Sequence, residues 1–357
     1  MQRRTLLKAV PAAGIIAAAK PIVASSQSGN WRQFECNARL EIAQAKGQVR
    51  AWMPLPLSQD TDYFKTLANS WSGNAEAVEI VYDPTYRAAM VSAVFKPGEA
   101  QPQLEVVSRF AVRERNVDLR PGAGMPATRA EQALYLKPTE LMPTDGIVKK
   151  TADEITKGAS TDVQKARAIY EWTVENTMRD PKTRGCGIGD VKAMLEAGAL
   201  SGKCADLNAL FVALCRAAGV PARDVYGVRV ADSPRGYKSM GRLGDITKAQ
   251  HCRAEFYAQD IGWVPVDPAD VRKVVLEERP NLTLADDVVK QMRSFLFGNW
   301  EGNWLAYNYA HDVRLPGSKG APIGFLMYPQ AETADGRIDS LDPDNFKYRI
   351  VSREIAA

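Results

Sequence analysis

The rhythm of apolar and polar positions changes near residue 120. Before it, short runs alternate. Residues 31–40 alternate in part, residues 48–52 lead into Met53-Pro54-Leu55-Pro56, and residues 77–82, 89–95 and 104–112 repeat the style with proline and glycine between them. Several short strands without a helical period predict a β-sandwich over residues 27–120. The stretch 118–126, with Pro121, Gly122, Gly124 and Pro126, reads as a linker.

After it the period lengthens. Thr161 and Gln164 form a capping-box pattern, and Val163, Ala166, Tyr170, Val174 and Thr177 recur at intervals of three or four. Together they predict a helix that Pro181 closes. Asp190 caps a shorter one through Met194 and Leu195. A third opens near Cys204, turns Leu207, Phe211 and Leu214 inward, and stops at Gly219-Val220-Pro221, with glycine in the C′ position and proline beyond. Strands are predicted at 225–230, 251–257 and 263–266, and residues 232–249 form a loop rich in glycine, serine and charge. Trp300, Trp304, Tyr307 and Tyr309 cluster, and residues 346–350 suit a last strand, but the pattern assigns residues 271–357 no role. The expected fold class is α+β: a helix bearing Cys204 packed on an antiparallel sheet, in a domain over 121–357 that follows the sandwich.

Composition narrows the picture. At 357 residues, 45% hydrophobic and 25% charged, the chain is long enough for two domains and reads as globular. Its net charge of +4 resides at one end, because Arg3, Arg4, Lys8 and Lys20 fall in a first segment free of acids. The remainder is near neutral, which leaves no electrostatic case for binding nucleic acid or an anionic membrane. Residues 1–26 read as a cleaved export signal: a twin arginine, a weakly apolar run too short to span a bilayer, then small residues. The expected location is periplasmic or otherwise exported, with no transmembrane segment in the mature chain. The five cysteines are an odd number, so at least one thiol is unpaired or shared between chains.

The chemistry centres on Gly202-Lys203-Cys204-Ala205-Asp206-Leu207, a cysteine where a tight turn opens a helix. There the backbone N–H groups and the helix dipole favour a thiolate and suit an oxyanion. Only His251 and His311 offer imidazoles, and His251 starts a strand. Asp267, in Val266-Asp267-Pro268, ends the next strand, with turn initiation as its plainer role and Asp260 and Asp270 as poorer substitutes. In that order Cys204, His251 and Asp267 make a nucleophile, its base and the base's orienter. Cys215 lies on the inward face of the same helix and reads as core, and Cys36 reads as packing in the first domain. Cys186, between Gly185 and Gly187, suits a loop lining the site or a disulfide, with Cys252 as a partner. Asn176 suits either an oxyanion donor or a helix cap. No Cys-x-x-Cys or His-x-x-x-His spacing supports a zinc site at Cys204, His251 and Cys252, and no cofactor or metal is expected.

At these residues the chain resembles the transglutaminase-like superfamily, relatives of the papain-type thiol enzymes. The resemblance runs over residues 140–270. It is carried by Gly202-Lys203-Cys204-Ala205-Asp206, the helix through Leu214-Cys215-Arg216 to Gly219-Val220-Pro221, the run from His251 to Tyr257, and Gly262-Trp263-Val264-Pro265-Val266-Asp267-Pro268. It implies a papain-like core, the triad Cys204, His251 and Asp267, and acyl transfer at amide bonds of proteins or peptides. For an exported bacterial chain, cell-wall peptides are plausible donors. Segment 52–56 is similar to the sandwich that often precedes this module. The family commonly has an aromatic residue where this chain has Arg253. On the face it shares with His251, Arg253 is expected to line the cleft and take a substrate carboxylate, or else to pair with Glu255 or Asp270. The alternative function is a binding or scaffold module that keeps the fold without turnover.

Overall fold

Residues 32–42 alternate because one side of the strand turns inward. Phe34, Cys36, Leu40 and Ile42 are buried in strand Arg32–Ile42, with more open residues between them. In the computed structural model, which describes residues 30–356 apart from 44–46, 123 and 125, this strand is central in a five-stranded sheet. The order is Gly244–Asp245, Phe346–Ile355, Arg32–Ile42, Gln103–Val112, Phe64–Gly73. A second five-stranded sheet runs Gly336–Ile338, Gln330–Thr333, Arg50–Pro54, Ala89–Val94, Ala77–Tyr82. Leu40, Leu104, Val106 and Phe346 from the first share one core with Ala51, Met53, Val91, Ala93 and Ala331 from the second, so the two form a sandwich. The signal segment expected at 1–26 lies outside the described residues. Among the described residues no helix is long and apolar enough to cross a membrane.

Two features of the sandwich differ from the pattern reading. Strand Phe64–Gly73 was not predicted. It lies at a sheet edge, mostly exposed, and an edge wet on both faces has no apolar period to read. The sandwich also draws strands from beyond residue 120: Phe346–Ile355 pairs along ten positions of Arg32–Ile42, and Gln330–Thr333 pairs with Arg50–Pro54. The sheets are therefore closed by the far end of the chain, which a boundary at 120 assigns to the other domain.

The second half is built around helix Cys204–Ala217, every residue of which is buried. It packs on an antiparallel sheet ordered Gly262–Val266, Gln250–Ala258, Ala222–Arg229, Trp304–Asn308, with the Phe211 and Phe256 rings 6.5 Å apart. Cys215 is fully buried in this core. Helix Asp162–Asn176 starts at the predicted capping box, where Thr161 Oγ1 accepts from the Gln164 amide and Gln164 Oε1 accepts from the Thr161 amide, both at 3.2 Å. It ends at Asn176, before Pro181. Thr177 is already extended, and Met178–Arg179 pairs in parallel with Ser201–Gly202. That pairing draws the end of one helix to the start of the Cys204 helix.

Candidate active site

The turn before Cys204 is held by one carboxylate. Asp206 Oδ2 accepts from the Lys203 amide at 2.9 Å, and Asp206 Oδ1 accepts from the amides of Ile188 and Gly189, each at 2.9 Å. A side chain at Gly187 or Gly202 would put its Cβ 1.8 or 2.3 Å from Asp206 Oδ2, so both positions require glycine. The Ala205 amide donates to the Cys186 carbonyl at 2.9 Å. The glycine-flanked loop thus sets Cys186 beside Cys204. All five cysteines are free thiols, and Cys36 packs in the interior as expected, its thiol pushed up to about 12 by burial.

The imidazole comes from the neighbouring strand. His251 Nε2 lies 2.7 Å from Asp267 Oδ2 and 3.4 Å from Asp270 Oδ2. Asp267 also caps helix Pro268–Glu277, where its Oδ1 accepts from the Asp270 amide at 3.1 Å and from Asn208 Nδ2 at 3.2 Å. Turn initiation and imidazole binding are therefore one arrangement, since the cap fixes the carboxylate whose second oxygen meets His251. Asp270 in turn is ion-paired with Arg229, both almost wholly buried. Asn208, one turn along the Cys204 helix, donates to the Cys252 carbonyl at 2.8 Å and so locks helix, strand and carboxylate together.

These contacts set the charges. At Cys204 the neighbouring Cys186 and Cys252 thiols lead, burial opposes, and the hydrogen bond and charge of His251 add, while Cys186 Sγ also donates to the Gln250 carbonyl at 3.3 Å. The net effect lowers its pKa well below the ordinary thiol value. The Cys186 and Cys252 thiols move the opposite way. The bond to Cys204 leads at Cys186 and burial leads at Cys252, so both stay protonated donors. At His251 burial and then Arg229 push downward, but Asp270, Asp267 and the hydrogen bond to Asp267 outweigh them and raise it to about 9. Burial acts against both carboxylates. Arg229 and His251 overcome it at Asp270, which is held well below the usual range, whereas Asp267 is held up by burial and by Asp270. Near neutrality the arrangement favours a thiolate facing an imidazolium.

Cys186, Cys204 and His251 open into a cleft of about 700 Å³. The C-terminal part of the chain contributes Tyr328, Phe346 and Tyr348 to its lining. The segment to which the pattern assigned no role therefore does two things: it closes the sandwich and walls the cleft.

Arg253 is a correction. It lies outside the cleft, 2% exposed, with its guanidinium donating to the Glu301 carbonyl at 3.1 Å and Asn303 Oδ1 at 3.3 Å and lying over Trp304 at 4.8 Å. Period-2 alternation correctly separates its face from that of Phe256, but the segment around Trp300 and Trp304 covers that face. Neither expected partner holds it, because Glu255 pairs with Arg115 and Arg223 and Asp270 with Arg229. Asn176 donates to the Trp172 carbonyl at 2.9 Å and caps its helix away from the cleft. Among the described residues, the group that brings three metal-type ligand atoms within 4.8 Å is His251, Asp267 and Asp270, and Arg229 already supplies a cation to Asp270. Asn208 and Arg229 escaped the sequence reading because both look like ordinary members of a helix and a strand.

Comparison with known proteins agrees with this architecture. The model of the family described as "Transglutaminase-like superfamily" matches residues 149–268. An "Uncharacterized protein" of Haemophilus influenzae is 36% identical over 328 residues, covering 87% of this chain and 88% of that protein. The crystal structure of a "Putative Cysteine Protease" from Cytophaga hutchinsonii superposes with a TM-score of 0.56 at 13% identity, covering 92% of each chain, and at that identity it speaks for the fold alone. With its sandwich, its helix-borne cysteine and a family match spanning helix, sheet and Asp267, the chain belongs to the transglutaminase-like superfamily.

Proposed function

We propose that the chain is a thiol-dependent acyl-transfer enzyme, a cysteine peptidase, amidase or transglutaminase-type catalyst, acting on protein or peptide amides. The observation that carries this reading is the buried line from Asp267 through His251 to Cys204, with charges set for an ion pair. The Cys204 thiolate adds to the amide carbonyl carbon. The oxyanion is met by the N–H of Cys204 at the helix N-terminus. The C–N bond then breaks as the His251 imidazolium protonates the departing amine, leaving a thioester. Neutral His251 next takes a proton from water, whose oxygen attacks the thioester, releasing the acid and restoring thiolate and imidazolium. An amine in place of that water forms a new amide instead. Asp267 orients the ring throughout.

Iodoacetamide alkylation against pH tests the ion pair. Labelling of Cys204 should begin well below pH 8, because its lowered pKa populates the thiolate there. Turnover should fall as pH rises through about 9, where His251 loses the proton that the leaving amine needs. A thiol that stays silent to pH 8 and reacts only on unfolding would return the protein to the scaffold reading.

We further propose that the protein works outside the cytoplasm, exported by the twin-arginine segment at its N-terminus. Changing Arg3 and Arg4 to lysine should leave precursor in the cytoplasmic fraction. An unchanged periplasmic yield would refute that route.

A further inference from the structure

The chain is nearly balanced, with 46 lysines and arginines against 42 acids, but the cleft is not. Of the twenty-four residues lining it, nine are lysine or arginine and none is aspartate or glutamate. Several of the nine lean on acids behind the wall: Arg179 and Lys273 on Glu277, Arg184 on Asp339 and Arg229 on Asp270. Lys203, Arg242 and Lys248 have no acidic side chain within ion-pair distance among the described residues. Arg242 Nε is spent on a neutral group, the Asp245 carbonyl at 2.9 Å, which leaves its charge uncancelled. These three come from separate stretches: the residue before Cys204 and the loop leading to His251. The chain thus brings unmatched positive charge to the nucleophile from two stretches, in a cleft also lined by Tyr328 and Tyr348.

A concave site walled by one sign of charge focuses its field and concentrates ligands of the other sign. The thiol chemistry needs an acyl group, so the ligand must be an amide-bearing anion and not a bare phosphate. We propose that the cleft selects acidic peptides, acyl donors that carry carboxylates near the reacting amide, with Arg242 and Lys248 as the recognition charges. This specificity rests on the reading of Cys204 as nucleophile. It moves carboxylate recognition from Arg253, which is buried elsewhere, to side chains that face the cleft.

The test uses the full chain and two alkylating probes of nearly equal size, neutral iodoacetamide and anionic iodoacetate. Their rate ratio at Cys204 cancels any change in thiolate population. At low salt the iodoacetate-to-iodoacetamide ratio should fall about fivefold or more in the double variant Arg242→Gln, Lys248→Gln. In the unaltered protein the same ratio should fall as salt rises. A hexapeptide of glutamate should protect Cys204 from iodoacetamide, and its glutamine counterpart should not. A ratio unmoved by both variant and salt, or equal protection by the two peptides, overturns the proposal. The salt and peptide arms need no variant, so a folding defect in the double variant does not blunt them. Absence of iodoacetamide labelling below pH 8 is a different failure, one that strikes the nucleophile itself.

Discussion

Replacing Cys204 by alanine should abolish turnover, by about 10⁵–10⁶-fold on the scale seen for nucleophiles of such triads. The neighbouring thiols cannot substitute. Cys186 and Cys252 are as buried as Cys204, but each is held protonated, Cys186 chiefly by its bond to Cys204 and Cys252 chiefly by burial. Their own replacement should act differently. Cys186→Ala removes the neighbour that most lowers the Cys204 pKa, so the midpoint of Cys204 alkylation should move to higher pH while some turnover persists. Cys252→Ala should do the same to a smaller extent. Peptides incubated with each variant, with and without an added amine, and read by mass spectrometry, check the series. The amine arm separates hydrolysis from transamidation. Cys204→Ala turning over a confirmed substrate at the wild-type rate would sink the mechanism.

What could be read from the chain depended on how local the physics was. The Thr161–Gln164 capping box, the Asp190 cap and the glycine stop at Gly219 are decided within a few residues, and the structure has all three. The bearing of Cys204, His251 and Asp267 was legible because each sits at the end of an element, where a side chain meets the next layer. Arg253 was not, because alternation tells which face a residue occupies but not what covers that face, and here Trp300 and Trp304 arrive from fifty residues away. Strands were expected at both ends, at 31–40 and 346–350, but nothing predicted that Arg32–Ile42 and Phe346–Ile355 pair with each other. Pairing over such a separation leaves no mark in either segment. The same holds for the cleft charge, since Lys203, Arg242 and Lys248 read singly as solvated cations and become a field only when the fold gathers them.

Asp270→Asn should expose how much of the site depends on a residue outside the triad. Asp270 is 1% exposed and Arg229 2%. Removing one partner of such a buried pair leaves the other charge uncompensated, at a cost of about 3–5 kcal/mol, against a typical total stability of about 5–15 kcal/mol. The loss should appear in thermal unfolding. A second effect falls on the imidazole. Burial and Arg229 push His251 down, and Asp270 is the first of the groups that push it back. Without that carboxylate, and with Arg229 now unneutralised, His251 should lose its proton at much lower pH, and the alkaline limb of turnover should move down from about 9. The linkage has a definite sign. In the wild type the folded imidazole stands at about 9 against an ordinary 6.5, so its contribution to stability is complete below 6.5 and is lost as pH rises through about 9. In Asp270→Asn that loss of stability between pH 6.5 and 9 should disappear. Adding Arg229→Gln removes the stranded charge, so the double variant should recover part of the thermal stability that the single change costs. An Asp270→Asn protein with wild-type stability and an alkaline limb still near 9 would mean that Asp267 alone sets the imidazole, and that Arg229 and Asp270 are packing.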